Sequence, residues 1–135
     1  MTSFEDEYFQ KFKFTSVQIA RYVESAVRDL QIAREDKFTE VQFTYCYQAL
    51  IKIGMAVLAK KGSVKVRSIM GHHIKILSKL SEMMGNPDIF TIGNAMRMKR
   101  NKDLYDAVAV IGKKEVNDYI VFVNGVIQKA KEVLK

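Results

Sequence analysis

Residues 39–62 read TEVQFTYCYQALIKIGMAVLAKKG, and this stretch decides the fold. Apolar side chains occupy nearly every side of a helix drawn through it, and such a helix is stable only when other elements cover it all round. Thr39 and Gln42 have the spacing of a capping box, which predicts a helix that begins near Glu40. We expect this helix to end at a left-handed Gly62 and to form the centre of a bundle.

The same stretch is the strongest candidate in the sequence for a membrane span, because few polar residues interrupt it. Gln42, Gln48 and Lys52 nevertheless fall at depths where each would be costly in hydrocarbon. A buried core helix without membrane contact is therefore the better interpretation. Cys46 lies within it, and we expect a buried, inert thiol there.

The sequence favours a cytoplasmic protein. Cys46 is the only cysteine, so no internal disulfide can form, as is typical of a reducing compartment. The first residues, MTSFEDEYF, are acidic and lack the apolar segment of a signal peptide. The length of 135 residues predicts one domain, 1–135, with one core.

Further stretches keep apolar residues at the three-and-four spacing of an amphipathic helix. They are residues 15–34, 66–84 and 113–133. A left-handed stop is predicted at Gly85, and Asp88 is predicted to cap the helix that follows the Pro87 turn. No stretch alternates as a half-buried strand does, so the sequence predicts an all-α bundle of four to five helices.

The N-terminal residues 1–14 form a predicted arm. Phe4, Tyr8 and Phe12 stand four residues apart and make an aromatic stripe. Two interpretations stay open for this stripe: a docking arm for another chain, or the first turns of the next helix.

Basic residues are concentrated in residues 94–106, NAMRMKRNKDLYD. Arg97 and Arg100 are three apart and share one helix face, while Met96 points the opposite way into the core. Two guanidinium groups, an amide and a phenol can thus converge on one anion. The candidate phosphate-binding residues are Arg97, Arg100, Asn101 and Tyr105. A solvated basic face at a helix C-terminus, favoured by the helix dipole, is the competing interpretation.

The net charge of +7 is uneven along the chain. Residues 1–40 carry a net charge of −2, and residues 41–135 carry one of +9. Such a balance suits a nucleotide, a nucleic acid or an acidic protein partner, because it speeds the association of any of them. It does not choose between these partners.

The sequence lacks the residue patterns of several kinds of metal, catalytic and phosphate-binding site. His72 and His73 are adjacent, so on a helix they diverge by about 100° and do not chelate one metal ion. No Ser-His-Asp or Cys-His arrangement is evident, and no glycine-rich phosphate loop occurs. We therefore expect no metal and no cofactor.

The order of the helices and one short motif resemble the HEPN (higher eukaryotes and prokaryotes nucleotide-binding) family across residues 15–134. The resemblance rests on the central apolar helix, a helix with a His about thirty residues before the motif, the pair Arg100-Asn101 with the aromatic Tyr105, and a long terminal helix. The resemblance implies an up-and-down antiparallel bundle that forms a homodimer with the motif in a shared cleft.

Many members of that family are metal-independent ribonucleases of toxin–antitoxin systems, in which an Arg steadies the phosphate and a His moves protons. Arg100 matches that Arg, but the His position is Tyr105 in this chain. A phenol with a pKa near ~10 is a poor general base at neutral pH. The resemblance thus favours nucleotide or RNA-phosphate binding over RNA cleavage.

Two alternatives remain beside this phosphate-binding module. One is an active ribonuclease toxin, which would use Arg100 and Tyr105. The other is a helical interaction subunit that binds another protein chain through the aromatic stripe and the apolar helix. Related HEPN proteins often work with a nucleotidyltransferase partner that can adenylylate a tyrosine, and Tyr105 is the candidate for such modification here.

Overall fold

The computed structural model describes residues 2–106 and 111–135, without the side chains of residues 103–106. Within these residues the chain is an all-α bundle, as predicted. The helices are α1 (Ser16–Glu35), α2 (Thr39–Val57), α3 (His72–Met84), α4 (Pro87–Asp106) and α5 (Lys113–Val133), and the strands are β1 (Phe9–Lys11) and β2 (Val64–Val66). No helix of the described part has the length and apolarity needed to cross a membrane.

The central helix is α2, and it is covered by all four other helices. Helices α1 and α5 pack on α2 and on each other, while α3 and α4 pair and contact α2 as a second group. Leu50 and Ile53 of α2 are completely buried. Cys46 is also fully buried, and burial raises the pKa of its thiol to about 12, so the expectation of an inert thiol is confirmed.

The start of α2 differs from the predicted capping box. Thr39 is the first helical residue, and Phe38 occupies the cap position without a side-chain hydrogen bond. Gln42 is buried, and its Nε2 donates to the carbonyl oxygen of Ala33 over 2.8 Å, which ties α2 to the end of α1. The capping-box prediction was wrong because the amide of Gln42 serves this tertiary contact.

The end of α2 also differs from the prediction. A π-helical turn, Leu58–Gly62, extends the helix, and the left-handed residue is Ser63, with φ of 50°. Gly62 has another role: a Cβ there would lie 2.7 Å from the ring of Phe4. Glycine is therefore required for the close approach of an aromatic ring rather than for a helix stop.

Residue 66, predicted to begin a helix, belongs to strand β2, so the prediction of no strands was wrong. β2 pairs antiparallel with β1, with Phe9 opposite Val66 and Lys11 opposite Val64. Helix α3 begins only at His72. Three-residue strands give too short an alternation to be recognised in sequence, and their pairing depends on a partner far along the chain.

The N-terminal arm belongs to the core of the protein. Phe9 is only 2% exposed and packs edge-to-face on Phe4, with ring centroids 5.2 Å apart. Glu5 forms ion pairs of 2.8 Å with both Lys75 and Lys79 of α3. Hydrogen bonds from these two lysines lower the pKa of Glu5 to about 2. The arm is thus held by apolar burial and by charge, and its aromatic residues contact their own chain.

The turn between α3 and α4 is close to the prediction. Gly85 is left-handed, with φ of 62°, which confirms the predicted stop of α3. The predicted cap of the next helix was misplaced by two residues, because the backbone N–H of Asp88 donates to Oδ1 of Asn86 over 3.1 Å. Helix α5 has the predicted bounds.

Two glycines allow α3 to approach its neighbours closely. A Cβ on Gly54 of α2 would lie 2.8 Å from Ile76, and a Cβ on Gly93 of α4 would lie 2.6 Å from Leu77. Distances below 3.0 Å mean that any larger residue forces a shift of the facing side chain. The spacing of α2, α3 and α4 therefore depends on small residues at these two crossings.

We expect Gly93→Ala to reduce the free energy of unfolding by about 1 kcal/mol, because the strain of overpacking against Leu77 and Leu50 exceeds the gain in helix propensity. Gly125→Ala in α5 is the matched control, since a Cβ there meets no atom within 4 Å. This control should increase the free energy of unfolding by about 0.5–1 kcal/mol. Urea unfolding measures both changes, and equal stabilisation by the two variants would contradict the close approach.

Candidate functional site

The basic side chains of α4, within residues 94–106, point in two directions. Arg97, Arg100 and Asn101 line one polar cavity of about 420 Å³. Lys99 points elsewhere, and its Nζ lies 2.9 Å from Oε1 of Glu115 on α5. Met96 is completely buried, as predicted, and fixes the rotation of the helix. The two arginines therefore share a face that opens into a cavity.

The opposite wall of this cavity, the polar cavity, is the beginning of α3. It is lined by residues 68–74, which include the left-handed Gly71 at the N-cap position. No side chain caps this helix, and no acidic residue lies in its first turn. The partial positive charge of the helix N-terminus thus adds to that of the two guanidinium groups.

His73, which lines the polar cavity, is hydrogen-bonded to Tyr47 of α2. The hydroxyl of Tyr47 lies 2.9 Å from Nδ1 of His73, and Tyr47 is 1% exposed. Burial lowers the pKa of His73 to about 4, with smaller contributions from His72, Arg100 and Arg97. Burial also raises the pKa of Tyr47 to about 12. Near neutral pH both rings are uncharged, and a hydrogen bond joins the tyrosine hydroxyl to Nδ1 of the imidazole.

The arginines are positioned by neutral groups. The guanidinium carbon of Arg100 lies 5.7 Å from the ring centroid of Tyr47, a cation–π contact. Nε of Arg97 donates to Oδ1 of Asn94 over 2.9 Å. Among the side chains that the structure describes, no carboxylate forms an ion pair with either arginine. The described part of the chain therefore leaves the charge of both guanidinium groups uncompensated.

A second cavity, the aromatic cavity, adjoins the first. It has a volume of about 390 Å³ and lies between α1 and α2, with Tyr22 and Met55 among its lining residues. His73 and Arg100 line both cavities. We call the two adjacent cavities together the groove: its polar end and its largely apolar end share this pair of residues.

The structure brings together three of the four predicted site residues: Arg97, Arg100 and Asn101. The side chain of Tyr105 lies outside the described residues. Sequence reasoning missed Tyr47 and considered His73 as a metal ligand, a role that it rejected; the structure places His73 half-buried at the start of α3. No local pattern connects these two residues, which are 26 positions apart and meet only through the packing of α2 on α3.

The described residues contain no group of three or more His, Cys, Asp or Glu side chains that could hold a metal ion. The described lining of the groove offers guanidinium, imidazole, amide and hydroxyl groups, which bind anions and exchange protons. No protein-family profile, curated protein or solved structure matches this chain.

The low pKa of His73 predicts a pH-dependent stability. Between the ordinary value of 6.5 and about 4, the unfolded chain binds a proton at this residue that the folded chain does not. The free energy of unfolding should therefore decrease as the pH falls through this window. In His73→Gln the decrease should be smaller, whereas His72→Gln should retain it.

Urea unfolding of both variants and the unaltered protein, at about pH 7 and about pH 5, measures this difference. An equal loss of stability in the His73→Gln variant and in the unaltered protein would show that this imidazole is not buried in its neutral form.

Proposed function

We propose that this chain is a HEPN-like module that binds the phosphate of a nucleotide or of RNA in the groove between α3 and α4. The observation that carries the proposal is the convergence of Arg97 and Arg100 with the uncapped N-terminus of α3 on one cavity. Guanidinium groups bind phosphate oxygens through paired, charge-assisted hydrogen bonds, and helix N-termini add backbone donors.

Neutral partners strengthen this argument. An arginine held by a carboxylate has its charge compensated within the protein, whereas Arg97 is held by an amide and Arg100 by an aromatic ring. Their positive charge remains uncompensated among the described side chains and is aimed at one cavity. The net charge of +9 over residues 41–135 then attracts phosphates from a distance.

His73 supplies a directional donor to the same ligand. In this proposal Nδ1 accepts a hydrogen bond from the buried hydroxyl of Tyr47, and the neutral ring carries its proton on Nε2. A ring so fixed donates one hydrogen bond without the cost of orienting it on binding. In this proposal Arg97 and Arg100 hold the charge of the phosphate, and His73 and Asn101 set its orientation.

The resemblance to the HEPN family adds further parts to the proposal. They are a homodimer, a nucleotidyltransferase-type or toxin–antitoxin partner protein and a cytoplasmic location. Their support is the order of the helices and the pair Arg100-Asn101. The proposal of phosphate binding rests on the groove and does not depend on the dimer, the partner protein or the location.

We expect Arg100→Ala to weaken the binding of ATP about tenfold to a hundredfold, because a hydrogen bond to a charged group contributes about 1.5–3 kcal/mol. Lys102→Ala is the matched control: it removes an equal charge from an exposed position on the same helix, outside the lining of the groove. Isothermal titration calorimetry at low ionic strength measures both. Equal affinities of the Arg100→Ala and Lys102→Ala variants for ATP would contradict the assignment of Arg100 to the phosphate site.

The second candidate function is a metal-independent ribonuclease, and the presence of His73 beside Arg100 in one cavity favours it. A pKa of about 4 makes this histidine a weak general base, so we expect no cleavage of RNA by the purified protein in the presence of a chelator. Cleavage that is lost in both Arg100→Ala and His73→Gln would contradict this expectation and make the protein an enzyme.

A further inference from the structure

The aromatic cavity beside the proposed phosphate site has the chemistry of a nucleobase subsite. It is lined by Gln48, Lys52 and Met55 of α2 and by Tyr22 of α1. Its volume of about 390 Å³ falls within the range of small-molecule sites. We infer that the groove binds one whole nucleotide unit, with the base between Tyr22 and Met55 and the phosphate between α3 and α4.

Tyr22 is a fixed surface for stacking. Its ring is half-buried and packs edge-to-face on Phe14, with centroids 5.9 Å apart, and Phe14 packs in turn on Phe12 at 4.6 Å. An aromatic ring held in this way presents a flat apolar face at little entropic cost. Met55 is also half-buried, and its flexible thioether adapts to the opposite face of a planar ligand.

Hydrogen-bonding groups in the aromatic cavity suit the edge of a base. The side chain of Gln48 is exposed and has no hydrogen-bond partner among the described residues, so its amide offers both a donor and an acceptor. Lys52 does not compete for the phosphate, because its Nζ lies 2.7 Å from the buried carboxylate of Asp29. The carboxylate of Asp29 therefore neutralises the charge of Lys52, and Arg100 at the junction with the polar cavity is the other cation in the lining.

The junction of the two cavities determines the orientation of the ligand. Arg100 and His73 lie at the boundary, and only the polar cavity has the second arginine and the helix N-terminus. A ligand that fills both cavities must be anionic at one end and planar and uncharged at the other. A nucleotide, either free or as a residue of single-stranded RNA, has this shape. The inference rests on the proposed phosphate site and extends it to a ligand class.

The test compares AMP with ribose 5-phosphate, which has the same sugar phosphate and no base. We expect AMP to bind about tenfold more tightly, because stacking of one base on an aromatic side chain contributes about 1–3 kcal/mol. Tyr22→Ala should abolish this tenfold preference and leave the affinity for ribose 5-phosphate unchanged. Tyr22→Phe, which keeps the ring, should retain the preference.

Gln48→Ala provides a second variant at an exposed position, where a loss of folding is not expected. It should reduce the affinity for AMP alone, about threefold or more, which corresponds to the loss of one weak hydrogen bond. Thr44→Ala, one turn earlier on α2 and outside the lining of the groove, is its control.

Each outcome is decisive. Equal affinities for AMP and ribose 5-phosphate would overturn the base subsite and leave the phosphate site standing. Failure of both ligands to bind would overturn the phosphate site as well. Displacement of AMP by a short oligoadenylate would identify the nucleotide unit as part of RNA, whereas failure of the oligomer to compete would identify a free nucleotide.

Discussion

The burial of most of the surface of α2 is the constraint on which the rest of the structure depends. The helix leaves only a narrow polar strip, which includes Thr44 and Gln48, exposed to water, and α1, α3, α4 and α5 all contact its remaining apolar surface. The other features of the fold follow from this requirement. Gln42, one of the few polar residues of α2, is buried and satisfies its amide at the carbonyl of Ala33. Tyr47 is buried to its hydroxyl, which then needs a partner and finds one in His73.

Close packing of the helices at two glycines brings the residues of the candidate site together. Gly54 and Gly93 let α3 lie against both α2 and α4, and the N-terminus of α3 consequently faces the basic side of α4. A wider spacing of these helices would separate His73 from Arg100. The groove is thus a result of core packing, and the residues that line it are held by elements whose other faces are buried.

The charges of the groove differ from those elsewhere in the protein. Lys52, Lys79 and Lys99 each lie within ion-pair distance of a carboxylate and so fasten one element to another. Arg97 and Arg100 contact an amide and an aromatic ring, which orient a guanidinium group without cancelling its charge. These three lysines are paired with carboxylates, and the two arginines of the groove are not paired with any described carboxylate. This difference is the physical basis for proposing a ligand of negative charge.

The sequence by itself determined the features that repeat within a few residues. Helical periodicity predicted the long helices and the extent of α5, and a spacing of three placed Arg97 and Arg100 on one face. Only the tertiary structure decided what those arginines face. The contact of Tyr47 with His73, and the pairing of the N-terminal arm with residues 64–66, join segments far apart in the chain. Such contacts depend on how whole helices pack, and no local pattern of residue types encodes that packing.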